Sequence, residues 1–423
     1  MRLVERHIIK TSHVSYKEIN NLCWRSKNLY NYANYLVRQS FIFEDKYLNN
    51  VAIFHLVKQH ESYTALPRKV SNQVLIVLHR NWKSFFEAQL AYNQDPSKFL
   101  GRPKLPNYKD KDKGRNILIY ELGAISKPAL RKGIVKLSQT NIEVSTSVSN
   151  VREVRIIPRC GQYVIEVVYE KDVETKELNP NWVAGIDIGL DNLAALTSNK
   201  PGFKPILVNG RPLKSINQQY NKVKATLHSQ LKDNVKTSRR INTLTCKRNN
   251  RVDNYLHNAS RWIIDYLVSE GIGTLVIGKN EQWKQEINLG KKTNQTAVAT
   301  TGGTPATRCL NFVSIPHARF IEQLQYKAEL VQMRALINEE SYTSRSSFLD
   351  LDVIPVYKKG EKHSFSGKRL LRAWYKSKDG RLIHADINGS LNITRKEVRA
   401  AFGLGIEGIA VYPFRVTPGK VAI

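Results

Sequence analysis

The chain has 423 residues, room for about three domains and a sizeable core. Its 66 Lys and Arg against 36 Asp and Glu leave a net charge of +30 and a pI near 9.9, which points to a polyanionic partner, nucleic acid above all. No apolar run approaches about 20 residues, and Met1-Arg2-Leu3-Val4-Glu5-Arg6 has no apolar secretory core, so the sequence reads as cytosolic with no membrane partner.

Leu3, Ile8 and Ile9 mark a first strand within residues 2 to 10. From about Ser15 to Gln94 the apolar spacing turns helical. Leu22, Leu29, Ala33 and Leu36 form one stripe; Val74, Leu75, Leu78, Trp82 and Phe85 form a second, with Ser71 as the expected N-cap. Trp24, Tyr30, Tyr32 and Tyr35 could stack on bases or pack in a core, and packing is the simpler expectation for most. Gly101 to Lys109 is a basic loop with two prolines, in which Arg102 and Lys104 are candidate phosphate contacts. Strand-like segments follow at Asn116–Tyr120, Ile134–Leu137, Glu153–Ile157 and Gln162–Tyr169, which with the first strand predict a small β-barrel.

Gly185 to Leu196 then sets the carboxylate of Asp187 in apolar chain, with glycines on either side of it. A buried carboxylate costs several kcal/mol unless a charge or metal compensates, so Asp187 either caps a turn or has partners elsewhere. Two further acids sit at the edges of apolar elements. Glu281 follows the β-branched run Thr274–Gly278, and Asp386 opens a helix carrying Ile387, Leu391 and Ile393. Three such carboxylates are oxygen ligands suited to hard divalent cations, and two ions about 4 Å apart can drive phosphodiester hydrolysis. Lys236 to Arg251 holds Lys236, Arg239, Arg240, Lys247, Arg248 and Arg251 with no acid, a candidate phosphate-tracking ridge rather than a merely solvated face. Thr296 to Leu310 is Thr-rich with Gly-Gly and Pro, a loop ahead of a helix expected over Pro316 to Met333. Lys358 to Lys378 carries eight basic residues, Lys368 and Arg369 among them, against Glu361 alone. The tail after Ala400 suggests nothing specific.

GIDIGLDNLAAL, IGKNEQWKQ, SIPHARFIEQLQYKAEL, ESYTSRSSFLD and HADINGSLNI, in that order, resemble the RuvC-type core of TnpB, the OrfB-type proteins of insertion sequences related to type V CRISPR effectors. Leu66-Pro67, Trp82 to Phe86 and the GRPKLPNYK loop extend the resemblance into the N-terminal half. It implies an α+β/α/β multidomain chain. Residues 1–10 and 101–178 would form a wedge-type β-barrel, and 11–100 a helical recognition domain. Residues 179–342 and 384–400 would form an RNase H-like (RuvC) nuclease domain, 343–383 a degenerate zinc-ribbon-like insert that loads the target strand, and 401–423 a tail. It also implies an RNA-guided endonuclease, located with the bacterial nucleoid, that binds guide RNA from the transposon end. Such an enzyme cuts double-stranded DNA beside a short transposon-associated motif. Asp187, Glu281 and Asp386 would hold Mg²⁺, two ions being expected, in a monomeric particle.

One departure concerns zinc. The family carries CxxC pairs between its second and third acids; here Ser347 and Asp350, then Lys376 and Asp379, stand in those places. No cysteine remains, so no zinc is expected, and polar pairs with Phe348, Phe365 and Trp374 should hold the remnant. Tyr375 to Ile383 still reads as a hairpin with an Asp-Gly turn. Thr296 to Leu310 is longer than the family requires and reads as an insertion. The alternative is a guide-RNA-bound DNA-binding regulator that does not cleave; retention of the acids favours the nuclease. A transposase proper would need a His-hydrophobe-His pair that the chain lacks.

Overall fold

The computed structural model describes residues 1–232, 234–279, 315–358, 360–371, 373–403 and 409–419. The chain divides into two compact units, Met1–Lys171 and Asp172–Ile423.

In the first unit, β1 (Arg2–Ile9) and β6 (Gln162–Glu170) pair antiparallel from Arg2↔Glu170 to Ile9↔Tyr163. Opposite charges meet across the register: Arg6 Nε lies 2.9 Å from Glu166 Oε1, and Arg2 Nε lies 3.3 Å from Glu170 Oε1. The sheet order is β1-β6-β5-β2, with β5 at Val151–Arg159 and β2 at Leu118–Glu121. After β2 comes the short helix α5 (Lys127–Arg131), and β3 (Ile134–Lys136) and β4 (Glu143–Ser145) form a separate pair.

Between β1 and β2 run α1 (Tyr16–Phe43), α2 (Asn50–Val57), α3 (Glu61–Thr64) and α4 (Arg68–Gln94). Leu29, Ala33 and Val37 pack with Val74, Leu78 and Trp82 in the same core as Ile165 and Val167 of the sheet. The buried Trp82 indole donates to Asn34 Oδ1 at 3.0 Å, so the one polar atom of that large side chain is satisfied. Tyr30 is buried and Tyr32 stacks on His60, whereas Trp24 and Tyr35 are exposed. Ser71 is not the N-cap. The helix starts at Arg68 behind Pro67, whose fixed φ suits a helix start, and the buried Ser71 hydroxyl donates to Tyr63 O.

The second unit is built on a six-stranded sheet of order β11-β10-β7-β8-β9-β15. Its strands are β7 (Asn179–Ile188), β8 (Asn192–Ser198), β9 (Ile206–Asn209), β10 (Ile272–Gly278), β11 (Arg334–Asn338) and β15 (Phe414–Val416). β7, β10 and β11 are mutually parallel neighbours; β8 is antiparallel to β7 and β9. Every residue of β8 and β10 is buried, as expected of strands covered on both faces. α7 (Arg239–Ser269) and α8 (His317–Glu329) form one layer, where Leu256, Ile263, Leu267, Phe320 and Leu324 pack with Ile186, Leu196 and Ile277. α6 (Arg211–Ser229) packs against α7. α9 (Ala385–Glu397) forms the other layer: Leu391 packs with Ala195 and Leu207, and Ile393 with Val183 and Val276.

The tail is more informative than its composition suggested. β15 adds a parallel edge strand to β9, pairing Phe414↔Ile206 through Val416↔Val208. Its short apolar run gains meaning only from the strand beside it. The segment Thr296 to Leu310 lies outside the described residues.

Candidate active site

Parallel strands deliver the residues beyond their C-terminal ends to one edge of the sheet. Ile186 in β7 aligns with Ile277 in β10, and Ile277 with Ile337 in β11. Asp187 is the last residue but one of β7, and Glu340 follows β11 by two. Asp386, in the first turn of α9, completes the group, since the helix crosses over β7. A carboxylate in the first turn also suits the positive end of a helix dipole.

Glycines permit the close approach. A Cβ on Gly389 would stand 2.7 Å from Asp187 Oδ2, and one on Gly278 would stand 2.7 Å from Glu340 Oε2. Any side chain at either position would displace a carboxylate.

Burial and neighbouring charge raise the proton affinity of Asp187 and Glu340. Asp187 is pushed well above the carboxylate range, first by burial, then by Glu340 and Asp386, with Arg369 opposing. Glu340 is pushed up to about 7 by burial and by Glu339, against Lys396. Glu339 behaves oppositely: although burial would raise it, bonds from Lys396 Nζ (2.5 Å) and Ser341 N (2.7 Å) hold it below its ordinary value. The adjacent glutamates therefore differ: Glu339 is bonded to Lys396, and Glu340 acts on Asp187.

Asp386 Oδ2 accepts from Asn192 Nδ2 at 2.8 Å, and Asn192 Oδ1 accepts from Arg415 at 3.3 Å. Arg369 Nη2 lies 3.8 Å from Asp386 Oδ1. His384 caps α9 by accepting from Asp386 N at 3.2 Å. Burial holds its pKa below the usual value, aided by Arg415 and Arg369 and opposed by Asp386. Among the described residues no three acid, His or Cys side chains already stand at metal-cluster spacing. The donor set is all oxygen, as a hard divalent cation requires, and the charged form of Asp187 is destabilised by burial and by its two neighbours, which a cation would relieve.

Of the acids expected from sequence, Asp187 and Asp386 come together, and Glu281 lies outside the described residues. Glu340 was missed. It opens the ESYTSRSSFLD stretch and follows a β-branched, apolar strand end, the same signal that singled out Glu281.

The basic candidates separate. Arg239, Arg240, Lys247 and Arg251 are exposed along α7. Arg248 instead turns inward, its Nε donating to Asn217 Oδ1 at 2.7 Å and its guanidinium 5.7 Å from the Tyr220 ring centroid. Arg102, Lys104 and Lys368 are exposed.

At the positions where the resemblance leads one to expect CxxC pairs, the structure shows hydrogen bonds. Asp350 Oδ2 accepts from Lys378 N at 2.9 Å, linking the two places, and Ser347 Oγ accepts from Asp350 N at 3.3 Å. Asp352 Oδ2 adds bonds from Ser347 N (2.8 Å) and Ser366 N (3.1 Å). β12 (Lys368–Arg369), β13 (Trp374–Lys376) and β14 (Leu382–His384) form an antiparallel sheet, and Gly380 takes φ +86° in the hairpin turn. Phe348 is fully buried with its ring edge-on to Phe402 at 5.0 Å, and it shares its core with Tyr375 rather than Trp374. Successive strand residues face opposite ways, so Tyr375 points inward and Trp374 outward, 37% exposed.

Residues 166–284 match the OrfB family of IS605-type elements, described as a probable transposase, and residues 317–393 match the TNB domain of Cas12f1-like proteins. Among solved structures, a Cas12f1–sgRNA–target DNA complex is similar at 13% identity, over 90% of this chain and 84% of that one, with a TM-score of 0.51. The mini RNA-guided endonuclease Cas-phi3 gives 10% identity, coverage of 98% and 94%, and a TM-score of 0.45. C2c1 of Alicyclobacillus acidoterrestris, with single-guide RNA, gives 10%, 91% and 68%, and 0.40. No curated protein matches the chain. The class is thus a mixed α/β multidomain chain with the fold of Cas12 effectors, the likeness to Cas12f1 carrying that statement. Within that class the chain is TnpB-like, with an OrfB segment followed by a Cas12f1-like TNB segment. Among the described residues no helix is long and apolar enough to cross a membrane.

Proposed function

We propose that this chain is an RNA-guided DNA endonuclease of an insertion sequence, with a RuvC/RNase H-like centre formed by Asp187, Glu340 and Asp386. The convergence of these three carboxylates at one sheet edge carries the reading. Glu340 is added as a further carboxylate facing Asp187, while Glu281, the second acid that the resemblance implies, lies outside the described residues. Asp187, Glu340 and Asp386 would hold Mg²⁺, which supplies an activated water and neutralises charge on a phosphodiester. Water adds to phosphorus and the bond to the 3′ oxygen breaks, leaving a 5′-phosphate and a 3′-hydroxyl. Asn192 orients Asp386 through its 2.8 Å bond, and Arg369 places a cation beside it.

The net charge of +30 suits a guide RNA and a double-stranded target, with exposed Arg239, Arg240, Lys247 and Arg251 tracking phosphates. Sequence choice is left to base pairing and a short flanking motif. The residue 343–383 insert is a metal-free ribbon remnant, supported by the Asp350–Lys378 bond.

The test is Asp187→Ala. The parent particle, purified with its RNA from cells carrying the native locus, should cut a guide-matched plasmid library in Mg²⁺ beside one motif. The variant should keep the RNA and lose cleavage. A parent that binds target but never cuts would favour a non-cleaving regulator, and a variant that still cuts would refute the site.

A further inference from the structure

Glu340 lies on irregular chain. Residues 339–351, which follow β11 and lead into the 343–383 insert, belong to no helix or strand, so no sheet ladder fixes them. One face of α9 does so instead, through positions 388, 392 and 396, which recur every fourth residue and therefore share that face. Lys396 Nζ donates to Ser341 O at 3.0 Å. Asn392 Nδ2 donates to Thr343 O at 2.9 Å and Ser346 O at 2.7 Å. Asn388 Nδ2 donates to Ser346 O at 2.8 Å, while its Oδ1 accepts from Phe348 N at 2.9 Å. Both asparagines are fully buried.

On another face, Ser390 Oγ donates to Gly185 O at 2.9 Å, two residues before Asp187. The helix that carries Asp386 thus grips both the strand bearing Asp187 and the segment bearing Glu340. We propose that Asn388, Asn392 and Lys396 are positioning residues for the Glu340 carboxylate, a ladder of donors that sets its place against Asp187 and Asp386. Burying carboxamides costs free energy unless they are hydrogen-bonded, and an apolar helix face would pack as well. These donors all serve the short segment that Glu340 begins. Asn392 makes the point sharply, because its buried Oδ1 has no hydrogen-bond partner among the described residues. Its polar work is donation alone. The inference rests on the carboxylate centre proposed above.

Asn392→Leu removes both donors at nearly constant volume; Lys396→Met removes the third while keeping the stem. The readout is Mn²⁺ binding to the full chain by calorimetry, alongside the Mg²⁺ concentration for half-maximal cleavage by the RNA-loaded particle. Loss of support around metal ligands typically weakens affinity about 10–100-fold, and both variants should show that loss with RNA binding unchanged. Lys396→Met discriminates by sign. Coulomb's law alone predicts tighter cation binding when a nearby positive charge is removed, whereas loss of positioning predicts weaker binding.

Unchanged or tighter Mn²⁺ binding in folded variants overturns the ladder. If Asn392→Leu does not fold, Lys396→Met decides, and failure of both to fold means a purely structural role. Mn²⁺ binding by the parent that Asp187→Ala does not weaken refutes the centre itself, so the two failures are distinguishable.

Discussion

Glu340→Gln should stabilise the cation-free protein at alkaline pH. The Glu340 carboxyl rises from an ordinary 4.5 to about 7 because burial and the Glu339 charge penalise its ionised form. Between those values the folded chain holds a proton that the unfolded chain has released, so stability falls as pH rises through the window. At about 1.4 kcal/mol per pH unit, the full shift corresponds to about 3 kcal/mol, an upper bound because solvent and neighbouring groups relax around the charge. For a unit the size of Asp172–Ile423, each kcal/mol moves the midpoint by about 2–4 °C, giving a ceiling of about 12 °C. Calorimetry in EDTA should show the parent and variant melting together at pH 4.5, where the group is largely protonated when folded. At pH 8 the variant should melt several degrees higher. Mg²⁺ should raise the parent's midpoint at pH 8 and leave the variant nearly unmoved. A variant no more stable than the parent at pH 8 would refute the claim that Glu340 is held charged against its neighbours.

Replacing Arg239, Arg240, Lys247 and Arg251 together by Gln should flatten the salt dependence of nucleic-acid binding, by about 0.7–0.9 in log–log slope for each phosphate no longer neutralised. Arg248→Ala should leave that slope unchanged and lower thermal stability instead, since its guanidinium is committed to Asn217 and Tyr220. Asp352→Ala removes acceptors for Ser347 N and Ser366 N and should make the 343–383 insert the first site of limited proteolysis. Metal analysis of the purified protein should find no stoichiometric zinc; a full equivalent would refute the ribbon held by hydrogen bonds.

What could be read without coordinates was local or compositional. Charge announced a polyanion. Apolar runs announced β7 and β10, because strands buried on both faces have nowhere to place polar residues. Asp187 and Asp386 stood out because an acid beside such a run needs a reason. The hairpin turn at Gly380 was visible because an Asp-Gly turn depends on adjacent residues.

What could not be read was adjacency. Ser71 suited an N-cap by type, yet Pro67 begins the helix and the hydroxyl serves Tyr63 O. Trp374 was expected in the core, yet the strand's pairing turns Tyr375 inward and leaves Trp374 exposed. Glu340 carried the same local signal as Glu281, an acid just past an apolar strand. Only the parallel pairing of β10 with β11 brings the end of β11 to the edge where Asp187 lies. The sequence alone determined which residues are able to hold a cation or track a phosphate. Tertiary structure decided which of them meet, because a carboxylate's proton affinity depends on its neighbours in space, and strand order places those neighbours.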